Sequence, residues 1–230
     1  MIRLLFGFFL MPFSAILIAA AGKSLGRVCM EAAATFPFLA GAGAAALGRL
    51  AGDLDPKGVG AWQRRIYVFG HEFTHAVAAW GSGAKVLGFK AGERSGHVDL
   101  SHSNAAVALA PYCVPIYALA AVLGYRLLSW SRPELAGPSL FPFLMGLTLA
   151  FHMIATLECL WDVRQPDLKD AGGVVFSLAW IAASNALLVM LMLKALFPKV
   201  VPLGEELAAS GRLAGALVTW GWGLALRLVG

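Results

Sequence analysis

Long apolar runs separated by short polar stretches dominate this chain. The runs cover residues 4–21, 29–51, 62–80, 105–130, 140–160 and 171–196, and a further apolar segment follows Arg212. Each run reaches or approaches the roughly 20 residues with which an α-helix crosses the hydrocarbon core of a bilayer. Backbone polar groups at that depth must be satisfied within the segment, so such runs are expected to be helical. The pattern predicts an all-α, polytopic transmembrane helix bundle of six or seven spans.

The two ends of the chain each allow two interpretations. Residues 4–21 follow Arg3 and end in three alanines, which is also typical of a secretory signal with a small-residue cleavage site. We favour a retained span, because the run is long for a signal and more spans follow. Residues 197–230 contain an apolar helix that is either a seventh span or an interfacial helix. We therefore divide the chain into an N-terminal transmembrane hairpin (1–61), a membrane core (62–196) and this C-terminal helix.

The longest polar stretch, residues 81–104, interrupts the predicted core. Segments 85–89 and 97–100 alternate like short strands around the turn AGERSG, which predicts a β-hairpin. The edge of such a hairpin could hold an extended substrate by strand addition. The alternative is an ordinary surface loop. His97 and His102 in this stretch are interpreted as solvated loop histidines.

Two further patterns concern helix packing. The run GAGAAALG in residues 41–48 has small residues at a spacing that permits close contact between membrane helices. Pro111 and Pro115 interrupt the run 105–130, and proline kinks a membrane helix.

Composition supports a membrane protein and excludes other classes. Of 230 residues, 59% are hydrophobic and only 13% are charged, whereas soluble domains carry nearly twice that charge. The net charge is +5, but the basic residues are scattered singly, which excludes a nucleic-acid-binding surface. Cys29, Cys113 and Cys159 are odd in number and lie in apolar surroundings. They are expected to be packing residues, not a disulfide framework.

The sequence HEFTH at positions 71–75 carries the chemistry. His71 and His75 are four residues apart, so on a helix they lie on one face and can bind one metal ion. Glu72 is well placed to take a proton from a water that the metal activates. Imidazole and carboxylate ligands make zinc the expected ion. The alternative is a chance match, or two core histidines hydrogen-bonded in the bundle, but ionisable groups at membrane depth are costly and usually functional.

A catalytic zinc usually has three protein ligands, so a third is needed. The extended form HExxHxxGxxH requires histidine at a position that Gly81 occupies. Glu93 lies at a plausible distance along the chain, but in a glycine-rich turn that would not hold a ligand rigidly.

The polar cluster WDVRQPDLKD, residues 161–170, offers better candidates. Pro166 suits the first turn of a helix, and an aspartate near a helix start is stabilised by the helix dipole. Asp167 and Asp170 are three residues apart and are expected to share a face leading into the next span. We rank Asp167 first, Asp170 second and Asp162 third.

These residues resemble the site-2 protease family of intramembrane zinc metalloproteases. The resemblance rests on HEFTH within a hydrophobic segment, the glycine-rich stretch after it, APYCVP in the next span, and an aspartate-containing turn before a late span. It covers roughly residues 62–196. The family's pattern NxxPxxxxDG is replaced here by QPDLKDAGG, and no PDZ-like insert is present.

The resemblance implies that His71, His75 and Asp167 bind zinc, with Asp170 as the second choice for the third ligand, and that Glu72 activates water. The function expected from it is hydrolysis of peptide bonds in a membrane-associated protein or peptide by metal-activated water. The alternative is a non-catalytic metal-binding membrane protein for transport, sensing or structure, which needs the ligands but not Glu72. The expected location is the lipid bilayer of a bacterial cytoplasmic membrane, as a multi-pass protein.

Overall fold

The computed structural model describes residues 2–93, 95–161 and 165–229. These residues form nine α-helices and one two-stranded antiparallel sheet, which confirms the predicted helical class. The elements are α1 (Ile2–Met30), α2 (Ala32–Leu54), α3 (Val59–Gly81), β1 (Val86–Ala91), β2 (Gly96–Leu100), α4 (Ala105–Cys113), α5 (Ile116–Ser131), α6 (Leu140–Trp161), α7 (Pro166–Asp170), α8 (Val174–Leu196) and α9 (Leu203–Val229).

Four of these helices are long and apolar enough to cross a membrane: α1, α2, α6 and α8. A fifth span is possible if α4 and α5 count as one broken helix. In the described residues, α3 and α9 have the length of a span but carry more charged and polar side chains. The chain is therefore a membrane protein by length and composition, and the count of six or seven spans stays a prediction.

The proline-containing run breaks at one proline and not at the other. Helices α4 and α5 meet at an angle of 65° across Val114 and Pro115, whereas Pro111 lies inside α4. Val114 is extended, with φ −107° and ψ 113°, as expected for a residue that precedes proline. The break sends α4 and α5 in different directions, so α4 can cover the face of α3 that bears the histidines.

The predicted β-hairpin is confirmed. Strand β1 pairs with β2 from Val86↔Leu100 to Ala91↔Gly96, and an irregularity lies between Val86 and Gly88. Both strands contact α3. The hairpin therefore lies against the helix that carries HEFTH.

The chain forms two compact units, which we call the terminal unit and the central unit. The terminal unit comprises residues 1–32 and 175–230, and the central unit comprises residues 33–174. HEFTH, the hairpin, α4 and α7 all belong to the central unit. The three-segment division expected from the sequence stays a prediction.

Small residues allow close helix packing inside the central unit, as GAGAAALG predicts. A Cβ atom at Gly41 of α2 would collide with the backbone oxygen of Phe143 in α6. One at Gly146 of α6 would collide with the backbone oxygen of Phe38 in α2. Because both glycines lack a side chain, the two backbones approach directly.

The terminal unit has its own core. Ala20 and Ala21 of α1 pack with Ala186 and Met190 of α8. A polar link joins α1 to α9, in which the Ser24 hydroxyl and the Arg27 guanidinium donate to the buried carboxylate of Glu206.

Candidate metal centre

Helix α3 presents His71 and His75 on one face, one turn apart. Their ring centroids are 5.0 Å apart and the rings are nearly perpendicular. The side chains are only 12% and 11% exposed. The spacing of four residues thus produces the paired imidazoles that the sequence predicts.

The short helix α7 brings Asp167 to the same place from more than 90 residues further along the chain. Its Oδ2 atom lies 3.5 Å from Nε2 of His71 and 3.5 Å from Nε2 of His75. One ligand atom from each of the three residues lies within 4.8 Å of the others. Among the described residues, this metal-site cluster of His71, His75 and Asp167 is the one group of three or more histidine, cysteine, aspartate or glutamate side chains that could bind a metal ion.

Hydrogen bonding identifies which nitrogen of His75 is free to bind a metal. The Nδ1 atom of His75 lies 2.9 Å from the backbone oxygen of Val107 in α4. A carbonyl oxygen only accepts, so Nδ1 must carry the proton and donate it. In the neutral ring Nε2 then has a lone pair, and that lone pair faces Asp167.

Two tyrosines support the other members of the metal-site cluster. The Tyr112 hydroxyl donates to Oδ2 of Asp167 over 2.9 Å, and its side chain is fully buried. The Tyr67 hydroxyl lies 3.3 Å from Nδ1 of His71. Such outer contacts orient the ligands of metal sites and tune their affinity.

The donors of the metal-site cluster fit zinc. Zinc–ligand bonds of 2.0–2.1 Å in a tetrahedron separate neighbouring ligand atoms by about 3.3–3.4 Å, and the two observed Nε2–Oδ2 distances are 3.5 Å. A lone pair and a carboxylate repel each other at this distance unless a cation lies between them. A metal ion, or a proton, fulfils that requirement.

Asp167 has the charge that a metal ligand needs. Burial raises the pKa of the Asp167 carboxyl, but hydrogen bonds that it accepts from His71 and His75 outweigh burial and hold this pKa well below its usual range. The rings donate these bonds only when Nε2 is protonated, which is the state that a bound metal ion would replace. The residue is therefore an anion at neutral pH. Two neutral imidazoles and one carboxylate form a ligand set typical of catalytic zinc.

Glu72 lies beside the metal-site cluster, under the start of strand β2. It is 9% exposed. A Cβ atom built on Gly96 would lie 2.5 Å from Cγ and 2.9 Å from Oε1 of Glu72. The hairpin therefore covers Glu72 closely, and only glycine fits at position 96 without moving one of the two.

The structure places the other candidate ligands elsewhere. Asp170 is exposed at the end of α7 and is outside the metal-site cluster. Its side chain is open to solvent, whereas the carboxylate of Asp167 accepts from the buried Tyr112. Two glycines with φ of +130° and +105°, Gly172 and Gly173, then separate α7 from α8. Asp162 lies outside the described residues.

Glu93 forms an ion pair at the hairpin turn, not a metal site. Its carboxylate binds Arg64 over 3.0 Å and Arg65 over 3.3 Å, both in the second turn of α3. Hydrogen bonding to Arg64, with a smaller contribution from Arg65, lowers the pKa of Glu93. We call the contact of Glu93 with the two arginines the hairpin latch.

His97 is exposed and lies 3.8 Å from Asp99, and His102 is also exposed.

A cavity lies next to the metal-site cluster. Its volume is about 310 Å³, and α2, α3 and α6 line it with polar groups that include Arg49, Gln63 and Glu158. Tyr67 lines this cavity and also a smaller one, which His71 lines as well. A cavity with both apolar and charged lining thus reaches the tyrosine that supports one ligand.

Sequence reasoning missed Tyr67, Tyr112 and the carbonyl of Val107. Tyr67 had a signal, because it precedes His71 by four residues and so shares its helical face. Tyr112 and Val107 had no such signal, because their role depends on how α4 crosses α3.

Comparisons of the chain with protein-family models, with curated proteins and with solved structures give no match.

Proposed function

We propose that this chain is an intramembrane zinc metalloprotease similar to the site-2 protease family. One observation carries the proposal: the Nε2 atoms of His71 and His75 face the same carboxylate oxygen of Asp167 at equal distances of 3.5 Å. When His75 is neutral, its Nε2 lone pair faces that oxygen, so a cation, either a metal ion or a proton, must lie between the two atoms. A site that only binds a metal ion would not need the adjacent Glu72, whereas a hydrolytic site needs it as the base.

His71, His75 and Asp167 would hold the zinc ion. When bound, zinc supplies Lewis acidity, which acidifies water and polarises the scissile carbonyl. Glu72 takes one proton from the attacking water and delivers it to the nitrogen of the leaving amine. The second water proton stays on the new carboxyl group and then moves to the amine, so the peptide bond is replaced by a carboxylate and an ammonium group, and Glu72 returns to its starting state.

The substrate class is a membrane-associated protein or peptide. A transmembrane helix has all its backbone groups hydrogen-bonded, so it must unwind locally before its carbonyl can be attacked. The β-hairpin is the best candidate for holding the unwound segment. In the described residues each of its strands pairs only with the other, so each leaves one edge available to an extended chain.

The proposal places the site inside a multi-pass protein of a bacterial cytoplasmic membrane. Helix α3 carries Arg64, Arg65, His71, Glu72 and His75. A helix with these side chains is stable at membrane depth only if they face protein or a wet cavity. Of these side chains, Arg64 lines the cavity beside Tyr67 and His71 lines the smaller one.

The test is the variant Glu72→Gln, with Glu134→Gln as the matched control. Glu134 is exposed and lies in the 3₁₀ turn Pro133–Leu135, remote in sequence from the metal-site cluster. Purified proteins are assayed for zinc content and for cleavage of casein and of a single-span membrane peptide. We expect Glu72→Gln to keep zinc and lose cleavage by about 10²–10⁴-fold, and Glu134→Gln to behave as wild type.

Two outcomes would contradict the proposal. Near-normal cleavage by Glu72→Gln would show that Glu72 is not the base. Stoichiometric zinc without cleavage of either substrate by the wild type would favour the alternative of a non-catalytic metal-binding membrane protein.

A further inference from the structure

A second cavity, unrelated to the metal-site cluster, lies between α1 and α9 in the terminal unit. Its volume is about 530 Å³. One part of its wall is apolar, formed by Ala15, Ile16 and Ala19 of α1 and by Leu213 of α9. The other part is charged. We call it the interfacial cavity.

The charged part has more cationic than anionic side chains. Lys23, Arg27 and Arg212 face Glu205 and Glu206 across the interfacial cavity. Glu206 is buried, and it accepts hydrogen bonds from Ser24 and from Arg27 over 3.2 Å, so Arg27 neutralises it.

The remaining charges of the interfacial cavity have no partner in the part of the chain that the structure describes. Lys23, Arg212 and Glu205 are exposed, and among the described residues none of them forms an ion pair or a side-chain hydrogen bond. Two cations therefore oppose one carboxylate. The interfacial cavity keeps one net positive charge, which a monoanionic ligand would balance.

The position of these charges along α1 sets their depth in a membrane. α1 is the most hydropathic candidate span, and its apolar run covers residues 4–21. Lys23 and Arg27 follow that run directly, so they lie at the level of the lipid head groups. The residues before them, Ala15, Ile16 and Ala19, lie within the hydrocarbon region.

From this combination we propose that the interfacial cavity binds one anionic phospholipid. Its phosphodiester would interact with Lys23 and Arg212, and an acyl chain would lie along the apolar wall. A basic site next to an apolar wall at head-group depth suits a lipid, whereas a free phosphate would leave the apolar wall exposed to water. This inference does not depend on the proposed protease activity.

The test is native mass spectrometry of the full chain in a neutral detergent, titrated with phosphatidylglycerol or with phosphatidylcholine of the same acyl chains. We expect wild type to bind one phosphatidylglycerol at least tenfold more tightly than phosphatidylcholine. Neutralising both cations, in Lys23→Gln/Arg212→Gln, should weaken phosphatidylglycerol binding about 25-fold, on the basis of roughly fivefold for each basic side chain.

Three variants keep the test specific. Arg126→Gln removes an exposed cation from α5, outside the interfacial cavity, and should leave both affinities unchanged. Glu205→Gln removes the opposing carboxylate and should tighten phosphatidylglycerol binding about fivefold by the same reasoning. Lys23→Arg/Arg212→Lys keeps the charges and should retain binding, which separates charge from misfolding of the double variant.

Several results would overturn the proposal. They are equal affinity for the two lipids, an unchanged affinity in Lys23→Gln/Arg212→Gln, or an equal loss in Arg126→Gln. Displacement of the lipid by millimolar inorganic phosphate would assign the site to free phosphate instead.

Discussion

Two buried or half-buried carboxylates, Asp167 in the central unit and Glu206 in the terminal unit, have opposite kinds of partners. Glu206 accepts from a guanidinium and a hydroxyl, so a permanent positive charge already balances it. Among the described residues, Asp167 faces two imidazole nitrogens and one tyrosine hydroxyl and forms no ion pair with an arginine or lysine. The first arrangement is complete as a link between helices. The second offers one carboxylate and two imidazole nitrogens to a cation, which is the donor set that the proposed metal site uses.

The largest expected effect is a difference between variants of Asp167 and Glu206 in how much zinc stabilises the folded protein. Zinc at 100 times its dissociation constant should stabilise the folded wild type by about 2.7 kcal/mol, because it binds the folded state alone. Asp167→Asn should lose this stabilisation. Glu206→Gln should retain it, although its metal-free stability falls by about 1–3 kcal/mol through loss of a hydrogen-bonded charge.

Thermal unfolding with and without zinc measures both effects in the same detergent. A zinc response that survives in Asp167→Asn, or that disappears in Glu206→Gln, would contradict the distinction between the two carboxylates.

The next effect concerns the support of Asp167. Tyr112→Phe removes the hydroxyl that donates to Oδ2 over 2.9 Å while keeping the buried ring. Loss of such an outer contact typically weakens metal binding by about 10–100-fold. Competition with a chelator of known affinity measures the change. Tyr125→Phe is the control, since the Tyr125 hydroxyl donates to the backbone oxygen of Ala136 and Tyr125 is not part of the metal-site cluster. An equal loss there would argue against a role for Tyr112.

A smaller effect is expected where the hairpin covers Glu72. Gly96→Ala adds a Cβ atom that would lie 2.5 Å from Cγ of Glu72 and 2.8 Å from the backbone oxygen of Lys90. Either Glu72 or the strand must move, so cleavage should fall about tenfold, on the scale of a sub-ångström misplacement of a catalytic group, with zinc content unchanged. Gly81→Ala is the control, because nothing lies within 4 Å of its Cβ position. Normal turnover in Gly96→Ala would show that the hairpin does not position Glu72.

The smallest effect is that of the hairpin latch. Glu93 has a pKa lowered by Arg64 and Arg65, so the stability that it contributes is present above its unfolded pKa and is lost as the pH falls through the lower folded pKa. At neutral pH, Glu93→Gln should increase hydrogen exchange of β1 and β2 a few-fold, since exposed ion pairs contribute little. At a pH below the folded pKa, wild type and variant should exchange equally. A difference that persists in acid would exclude the carboxylate as its cause.

Local sequence patterns predicted most elements of the fold. The apolar runs predicted α1, α2, α6 and α8, and the polar stretch around AGERSG predicted the hairpin. The proline pattern predicted a break in one span but not its position. Pro111 stays inside α4, whereas Val114 is extended and Pro115 begins α5. The position depends on how α4 packs, which a single sequence does not specify.

The candidate site was predictable where its geometry is local. His71, Glu72 and His75 lie on one helix, so their spacing sufficed. The choice between Asp167 and Asp170 required the packing of α7 against α4, which places the Asp167 carboxylate at Tyr112 and leaves Asp170 exposed. Tyr112 and Val107 come from α4, and their contacts with the metal-site cluster follow from tertiary packing.

The most direct test of the central claim is the zinc content of the purified chain, with His71→Ala, Asp167→Ala and Asp170→Ala measured beside the wild type. We expect one zinc ion per chain in the wild type and in Asp170→Ala, and none in His71→Ala or Asp167→Ala. Loss of zinc in Asp170→Ala with retention in Asp167→Ala would assign the third ligand to Asp170. A wild-type protein without zinc, even after reconstitution with the metal, would contradict the metal centre and the proposed protease activity with it.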